Sequence, residues 1–258
     1  MAGTDPLLRI REISLRFAGI IALDRVSFDV ERGQICGLIG PNGAGKTTLF
    51  NCLSRLYAPD SGAIDFLGQP LLAIPPHRIA ALGIGRTFQN LALFRTMTVR
   101  QNILVGAHSR SRTGFVSDAL RLPVVRAEEA ALGAEVDDLL ALLDLRAVAD
   151  QPAEALPFGT KKRIELARAL AGKPTLLLLD EPAGGLNHDE VDQLRALILS
   201  IRDRLAITVL LVEHHMNLVM ELSDKVVALD FGRKIADGTP DQVRNHPDVI
   251  SAYLGTAA

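Results

Sequence analysis

The run GPNGAGKTT, Gly40 to Thr48, contains the residues whose types and spacing are best suited to chemistry. It follows an apolar segment, residues 34–39, and opens a helical stretch. Glycines let a backbone turn tightly and bring its N–H groups close to an anion at a helix N-terminus. Lys46 adds a charge beside terminal phosphates, and the Thr47 hydroxyl suits Mg²⁺. The loop predicts a nucleotide polyphosphate and a metal, bound by Gly40, Pro41, Asn42, Gly43, Ala44, Gly45, Lys46, Thr47 and Thr48.

A pair of acidic residues ends the segment TLLLLDEP, residues 175–182. Its four leucines fit a buried strand, and open α/β sheets bind ligands at the carboxyl ends of their strands. Asp180 is therefore a predicted Mg²⁺ ligand, either directly or through water. Glu181 points elsewhere and is predicted to position or deprotonate an attacking water. Phosphoryl transfer needs mainly charge neutralisation and alignment of that water, so the pair predicts hydrolysis.

Three further side chains are candidates, each with a structural alternative. His214 follows the apolar run Val209–Val212 and can donate a hydrogen bond to a γ-phosphate, although a helix-capping role fits as well. Gln89 can touch Mg²⁺ or water when two subdomains approach, or be an ordinary surface amide. Phe17 can stack on a nucleobase or pack in the core, and Phe28 competes for the stacking role.

Composition excludes several classes of protein. The chain has 258 residues, 28 Lys and Arg against 30 Asp and Glu, and a formal net charge of −2, which argues against a nucleic-acid partner. The longest apolar runs, such as Leu176–Leu179, are far shorter than a membrane span. The N-terminus lacks a secretory signal pattern, which predicts a cytosolic protein. Cys36 and Cys52 are expected to be core thiols.

The pattern of elements predicts an α/β fold. Short strands near 8–15, 26–30 and 35–39 indicate an antiparallel edge that leads into a buried strand, followed by a helix over 45–57. Residues 99–145 are rich in Ala, Leu and charge and predict a helical insertion, with an exposed loop over 109–117. Thereafter helices and strands alternate, which predicts a mostly parallel sheet covered by helices; the helices are 161–171, 189–205 and 216–222, and the strands are 175–179, 208–212 and 225–229.

Taken in order, these motifs resemble those of the ATP-binding subunit of an ABC transporter, over nearly the whole chain. The resemblance implies one P-loop ATPase domain over 1–258, with an N-terminal antiparallel β subdomain and a mostly parallel core sheet in 1–90 and 160–258, and a helical subdomain over 91–159. It also assigns the motifs: Gly40–Thr48 as Walker A, Gln89 as the Q-loop glutamine, Leu156–Thr160 as the signature, Leu176–Glu181 as Walker B, Gly184–Asn187 as the D-loop and His214 as the switch histidine.

The resemblance implies roles and partners. Glu181, His214, Lys46 and Gln89 are expected to be catalytic, and Thr47, Gln89 and Asp180 to hold Mg²⁺. ATP is expected to lie between the Walker A loop of one subunit and the signature of a second, identical or related subunit, whose contacts come from Pro157, Phe158, Gly159 and Thr160. Transmembrane permease subunits, and indirectly a substrate-binding protein, are the other implied partners, with the chain at the cytoplasmic face of the inner membrane.

A narrower resemblance comes from two stretches, RTFQNLALFRTMTVRQNILVGAH and the C-terminal segment MELSDKVVALDFGRKIADGTPDQVRNHPDVISAYLG. They look like the ATPase of branched-chain amino-acid importers, a family that also handles urea and short amides. This resemblance implies ATP hydrolysis coupled to import of such solutes. The cargo itself touches the membrane and binding-protein subunits in such machines.

The signature departs from the usual LSGGQ and reads LPFGT, residues 156–160. Pro157 replaces a serine whose hydroxyl contacts the partner-bound γ-phosphate in family members, and Thr160 replaces a glutamine. Gly159 and the following helix N-terminus remain, and backbone N–H groups there can still bind a phosphate. We expect weaker or differently tuned ATP-driven dimerisation.

Other functions stay open at this point. The ATPase of another ABC system, such as a lipid or lipopolysaccharide exporter, shares the same chemistry. A soluble ABC protein of DNA repair or translation usually has a second cassette or a long coiled coil, neither of which is visible here. A small-molecule kinase needs an acceptor pocket and gives the signature no purpose. A non-hydrolysing nucleotide sensor leaves Glu181 unexplained.

Overall fold

The computed structural model describes residues 5–89, 91–110 and 123–254, and their strands form two sheets. The strands are β1 (Leu8–Phe17), β2 (Ile20–Val30), β3 (Ile35–Ile39), β4 (Ser61–Phe66), β5 (Gln69–Pro70), β6 (Ile84–Arg86), β7 (Leu176–Asp180), β8 (Thr208–Val212), β9 (Lys225–Asp230) and β10 (Arg233–Gly238). The α-helices are Lys46–Leu53, Ile79–Leu82, Val99–Ala107, Pro123–Leu142, Phe158–Ala171, His188–Leu205, Met216–Leu222, Pro240–Arg244 and Pro247–Leu254.

The larger sheet has the strand order β10-β9-β3-β8-β7-β6. Strands β9, β3, β8, β7 and β6 run parallel, and β10 pairs antiparallel with β9 at one edge. Parallel strands bring their carboxyl ends to one edge of a sheet, where α/β proteins bind ligands. The predicted mostly parallel core is therefore confirmed, and the ends of β3, β7 and β8 share one edge.

Both faces of the larger sheet are buried, which explains its nearly continuous apolar strands. Within β3, Ile35 and Ile39 face the core formed with the helices, whereas Cys36 and Leu38 face the core shared with the smaller sheet. Burial raises the pKa of Cys36 to about 12 and that of Cys52 to about 11, and both thiols are free. Such thiols are inert, in agreement with the predicted core role.

The smaller sheet has the order β2-β1-β4-β5 and is antiparallel throughout. The predicted end of the first strand, residue 15, is two residues short of Phe17, and the predicted start of the second, residue 26, is six residues after Ile20. The hairpin continues to a tight turn at Ala18 and Gly19, both at positive φ, so that β1 and β2 pair along most of their length. The N-terminal antiparallel β subdomain is otherwise as predicted.

Two helix boundaries also differ from the prediction. The helix expected over 45–57 ends at Leu53, shortly before Arg55 takes a left-handed conformation with φ 60°. The helix expected to start at Lys161 starts at Phe158, so it contains most of the signature and continues past position 160. The division at residues 91–159 stays a prediction. Of the loop predicted over 109–117, residues 111–117 lie outside the described residues.

Within the described ranges, no helix combines the length and the apolar character that crossing a bilayer requires.

Candidate active site

The Gly40–Thr48 loop joins the end of β3 to the helix that starts at Lys46. Two of its glycines are required by the backbone. Gly40 has φ 151°, and a Cβ atom there would lie 2.2 Å from the carbonyl oxygen of Leu229. Gly45 has φ 100°, and its Cβ would lie 2.6 Å from the carbonyl oxygen of Ala22. Any side chain at either position would displace the loop from the strands that support it.

Lys46 is buried inside this loop, with only 5% of its surface exposed. Its Nζ donates to the carbonyl oxygens of Gly40 at 2.6 Å and Pro41 at 2.9 Å. Burial lowers the pKa of Lys46, and the negative charges of Glu181 and Asp180 partly oppose that shift. A desolvated cation among loop carbonyls gains most from an anion, so the arrangement suits a phosphate.

Asp180 is the last residue of β7 and is 3% exposed. Its Oδ2 accepts a hydrogen bond from Nη2 of Arg86, at 2.9 Å, because β6 pairs with β7 and places Arg86 beside it. Burial raises the pKa of Asp180, whereas Arg86 opposes that rise. The other oxygen, Oδ1, is buried and has no hydrogen-bond partner among the described residues. A buried carboxylate oxygen with a free lone pair fits Mg²⁺, which prefers oxygen ligands.

Three of the predicted catalytic side chains meet at Glu181. Its Oε2 accepts from Nε2 of Gln89 at 2.8 Å, and its Oε1 lies 2.5 Å from Nε2 of His214. The Glu181 N–H donates to the carbonyl oxygen of Val212 at 2.9 Å, so the backbone stays attached to β8 just beyond the strand. Glu181 has φ 48°, in the left-handed region. Its carboxylate contacts Gln89 and His214, whereas that of Asp180 contacts Arg86, so the two adjacent acids have different partners.

A further acid, Glu213, was missed. Its side chain is 1% exposed and holds two loops at once: Oε1 accepts the Ala183 N–H at 2.6 Å, and Oε2 accepts the His214 N–H at 2.9 Å. The Oε2 atom also lies 3.2 Å from Nδ1 of His215. The available signal was a carboxylate directly after a buried strand and before two histidines. Only His214 was considered in the sequence analysis.

The signature segment forms the exposed N-terminus of the helix Phe158–Ala171. Pro157 occupies the N-cap position and makes no side-chain capping bond. Phe158 is 47% exposed, and its ring packs where a Cβ of Gly185 would lie, 2.9 Å from Cε1. A Cβ at Gly159 would lie 2.6 Å from Oε1 of Glu190, so a larger residue there would have to displace the end of that flexible side chain. Thr160 is partly buried.

The signature does not bond to the phosphate loop of its own chain: among the described residues, no hydrogen bond or ion pair joins 156–160 to 40–48. The first N–H groups of an α-helix have no intrahelical partner, and without a capping side chain they remain available to an anion. The signature therefore presents unsatisfied donors at the surface of the molecule.

The two aromatic candidates for nucleobase stacking are distinguished by burial. Phe28 is 4% exposed and belongs to the core between the two sheets, so it offers no accessible face. Phe17 is 43% exposed at the end of β1, and its ring meets that of Tyr57 edge to face, with centroids 5.2 Å apart. An exposed ring held by a neighbour leaves a flat surface for stacking.

The C-terminal helix Pro247–Leu254 contacts the phosphate loop, and no motif predicts this contact. The Gly40 N–H donates to the hydroxyl oxygen of Tyr253 at 2.8 Å, across 213 positions of the chain. Burial raises the pKa of Tyr253. Since this phenol is distant in sequence and follows no motif, only the tertiary structure could reveal it.

Three features of this site define a P-loop nucleoside triphosphatase. They are a glycine-rich loop between a buried strand and a helix, a lysine inside that loop, and an acidic pair at the end of a parallel strand that lies two positions away in the sheet.

Comparison with known proteins gives the family. A model described as "ABC transporter" matches residues 23–184, which is more than half of the chain, and a model described as "Branched-chain amino acid ATP-binding cassette transporter" matches residues 233–258. The chain belongs to the ABC transporter family of ATP-binding subunits. Hydrolysis of ATP is accordingly its activity.

The similarity to other proteins extends over nearly the whole of this chain and of each similar protein. The chain is 43% identical over 252 residues to the high-affinity branched-chain amino acid transport ATP-binding protein BraF of Pseudomonas aeruginosa, covering 98% of this chain and 99% of BraF. It is 42% identical over 254 residues to LivG, of the same description, from Escherichia coli strain K12, covering 98% and 100%. The ADP conformation of MJ1267, an ATP-binding cassette of an ABC transporter, superposes with a TM-score of 0.85 at 29% identity, covering 98% and 100%. The resemblance predicted from the motifs is confirmed.

Proposed function

We propose that this chain powers a membrane importer of branched-chain amino acids, with Glu181 as the residue that activates the attacking water. The observation that supports the catalytic part is the position of Glu181, whose two carboxylate oxygens contact Gln89 and His214 separately. A base held by two partners has a fixed orientation, and that is what alignment of a water requires. The buried charge of Lys46 lies within the field of both Glu181 and Asp180.

Mg²⁺ fits this site through Asp180, whose Oδ1 is buried and unpartnered, together with Thr47 and Gln89. Bound there, the metal would neutralise charge on the phosphate oxygens. Lys46 and the loop N–H groups hold the phosphates. Phe17, exposed at the end of β1, provides a face for the base. Within Gly40–Thr48, backbone donors come from residues other than Pro41, which has no N–H, and Gly40, whose N–H is bonded to Tyr253.

Two copies of the chain, or this chain and a related one, would pack head to tail. The support is the signature segment, which has unsatisfied helix N–H groups at the surface and no bond to its own phosphate loop in the described part of the chain. A γ-phosphate held by the loop of one subunit would satisfy those donors in the other. Hydrolysis removes that bridge, so the open state regains population.

A permease is the proposed membrane partner. Four large apolar side chains are exposed in the segment from the end of β6 through the helix Val99–Ala107, with exposures of 36–47%; they are Phe88, Phe94, Met97 and Val105. Such a patch next to Gln89 suits a helix of a partner subunit. We propose that the chain binds this permease at the cytoplasmic face of the inner membrane. Crosslinks between residues 89–105 and a permease loop test it, and their absence from an active complex would contradict it.

The cargo follows from the similar proteins, since BraF and LivG carry that name over their full lengths and the C-terminal 26 residues match a model of the same description. Reconstitution of the native complex in proteoliposomes, with labelled leucine outside and ATP inside, is expected to give ATP-dependent uptake. Uptake of urea or a short amide in place of leucine would correct the cargo, and outward movement of a lipid would refute import.

The catalytic assignment is tested by single-turnover hydrolysis of ATP. Glu181→Gln is expected to lower the rate about 10²–10⁴-fold, the usual contribution of a positioned base, while ATP binding persists. Glu221→Gln, which changes an exposed glutamate paired with Arg195, is the control and is expected to leave the rate unchanged. Equal rates for wild type and Glu181→Gln would refute the role of Glu181.

A further inference from the structure

Three charged side chains follow one another at intervals of three residues along the helix Phe158–Ala171. Residues at this spacing lie on one side of a helix. All three are largely buried: Lys162 is 9% exposed, Glu165 is 1% exposed, and the side chain of Arg168 is 15% exposed. Charges are buried only where partners compensate the loss of water. Their partners lie in the two segments that contain Glu181 and Gln89.

Lys162 bonds to the backbone of Glu181. Its Nζ donates to the Glu181 carbonyl oxygen at 3.2 Å and lies 5.6 Å from the centre of the Phe158 ring. The same carbonyl oxygen accepts the N–H of Gly184, also at 3.2 Å. The backbone of Glu181 is thereby held from the side of the signature helix, while its N–H is held by β8.

Glu165 and Arg168 bond to the backbone on both sides of Gln89. The Phe88 N–H donates to Oε1 of Glu165 at 3.0 Å. Burial raises the pKa of Glu165, and backbone hydrogen bonds from Phe88 and Ala92 oppose that rise. Arg168 donates to the Ala92 carbonyl oxygen, and its Nη2 lies 4.0 Å from Oε1 of Glu165. One helix thus holds the residues before and after Gln89.

We propose that Lys162, Glu165 and Arg168 form a positioning stripe through which the signature helix sets the places of Glu181 and Gln89 in its own subunit. The stripe touches backbone groups and takes no part in bond breaking. This inference rests on the proposed function, since it needs Glu181 and Gln89 to act in hydrolysis. A helix of 14 residues moves as a rigid body, so a phosphate bound at its N-terminus shifts both side chains together.

The stripe is tested first at Lys162, because Lys161 offers a matched control on the same turn. Lys161 is half-buried, and its Nζ bonds to the Glu154 carbonyl oxygen at 3.0 Å, away from Glu181 and Gln89. In full-length protein, Lys162→Met is expected to lower kcat about 10–100-fold, the range expected when a catalytic group is misplaced by about 1 Å, with KM for Mg-ATP within about twofold. Lys161→Met is expected to change neither kcat nor KM. Lys162→Arg, which keeps the positive charge, is expected to retain at least about half of the wild-type kcat.

Arg168 is tested by a double-mutant cycle with Gln89. If Arg168 acts by placing Gln89, Arg168→Met lowers kcat in the wild-type background and by less than about twofold once Gln89→Ala is present. Arg163→Met is the control for loss of a charge from the same helix, since Arg163 bonds outward to Gln193 at 2.6 Å. Its effect is expected to be small in both backgrounds.

The outcomes separate the stripe from the catalytic assignment. If wild type hydrolyses ATP and Glu181→Gln does not, but Lys162→Met behaves as Lys161→Met does, the stripe is wrong and the proposed function stands. Full additivity of Arg168→Met with Gln89→Ala would overturn the stripe in the same way. If Glu181→Gln hydrolyses as wild type does, the proposed function fails whatever the stripe variants do. Should Lys162→Met not fold, as judged by its melting temperature, the Arg168 cycle decides alone.

Discussion

The Nε2 atom of His214 lies 2.5 Å from Oε1 of Glu181, although 33 positions separate the two residues in the chain. The contact exists because β7 and β8 are parallel neighbours and both end at this edge of the sheet. Glu213, buried directly before His214, accepts the N–H groups of both Ala183 and His214. One buried carboxylate therefore joins the loop after β7 to the loop after β8.

Removal of the His214 ring is the first prediction. His214→Ala is expected to lower kcat about 10–100-fold, because Glu181 loses one of the two contacts that orient it. Steady-state hydrolysis with nucleotide affinity measured separately checks this, and affinity is expected to change little. His215→Asn is the control, since the His215 ring contacts Glu213 and not Glu181. An effect of His215→Asn as large as that of His214→Ala would show that general disturbance of the loop explains both.

Breaking the ion pair between Arg86 and Asp180 is the second prediction. The two side chains are 8% and 3% exposed, and the loss of one partner leaves the other charge buried. Arg86→Met is expected to lower the free energy of unfolding by about 3–5 kcal/mol, and Arg86→Met with Asp180→Asn by less. Urea denaturation measures both. Arg25→Met, at an exposed pair with Asp24, is expected to cost less than about 1 kcal/mol.

A double variant no more stable than Arg86→Met alone would contradict this explanation, because the stability lost would then come from packing of the Arg86 side chain. Its guanidinium lies 5.6 Å from the centre of the Phe50 ring and 5.1 Å from that of Phe88. These aromatic contacts are the competing source of stability.

The residues of this site divide into those that local sequence predicts and those that it does not. The phosphate loop and the acids at 180 and 181 follow from spacing within a few residues, because glycine turns and strand ends are local features. Arg86 and Tyr253 do not, since their partners are 94 and 213 positions away and are brought near only by strand order and helix docking. The spacing of Lys162, Glu165 and Arg168 can be read from the sequence, but their contacts with the backbone of Glu181 and around Gln89 cannot.

Element boundaries were less predictable than elements. The predicted bounds of the buried strands β3, β7 and β8 agree with the structure to within one residue. A short continuous run of apolar and β-branched residues is typical of a strand that is buried on both faces. The hairpin of β1 and β2 extends further than its apolar pattern, since pairing there depends on a turn at Ala18 and Gly19. The helix that begins at Phe158 follows a proline, which favours the first turn of a helix.

Restoring the usual signature residues is the third prediction. Pro157 supplies no capping side chain, and a serine at an N-cap stabilises a helix by about 1 kcal/mol relative to a residue that cannot cap. Pro157→Ser with Thr160→Gln is therefore expected to raise the melting temperature and to lengthen the life of the ATP-bound dimer in a Glu181→Gln background. Thermal unfolding and ATPase assays with Glu181 intact, and size-exclusion chromatography in the Glu181→Gln background, measure these effects. Unchanged activity and dimer lifetime would remove the idea that LPFGT tunes dimerisation.

The fourth prediction concerns acid stability and the residue Glu135. Its hydrogen bond from Arg110 is the main cause that lowers the pKa of Glu135 to about 2, with a second contribution from Lys173. A carboxylate whose pKa is lowered by folding stabilises the folded state at pH values above its pKa in the unfolded chain, 4.5. That contribution is lost as the pH falls toward 2.

Glu135→Gln is therefore expected to lower the free energy of unfolding at pH 7 by about 1 kcal/mol, a value reduced because the side chain is partly exposed. The difference in stability between this variant and wild type is expected to shrink progressively below pH 4.5. Urea unfolding at a series of pH values measures it. Asp138→Asn, one turn along the same face and exposed, is the control and should show no such pH dependence. A destabilisation by Glu135→Gln that stays constant from pH 7 to pH 3 would mean that shape, and not charge, accounts for the contribution of Glu135.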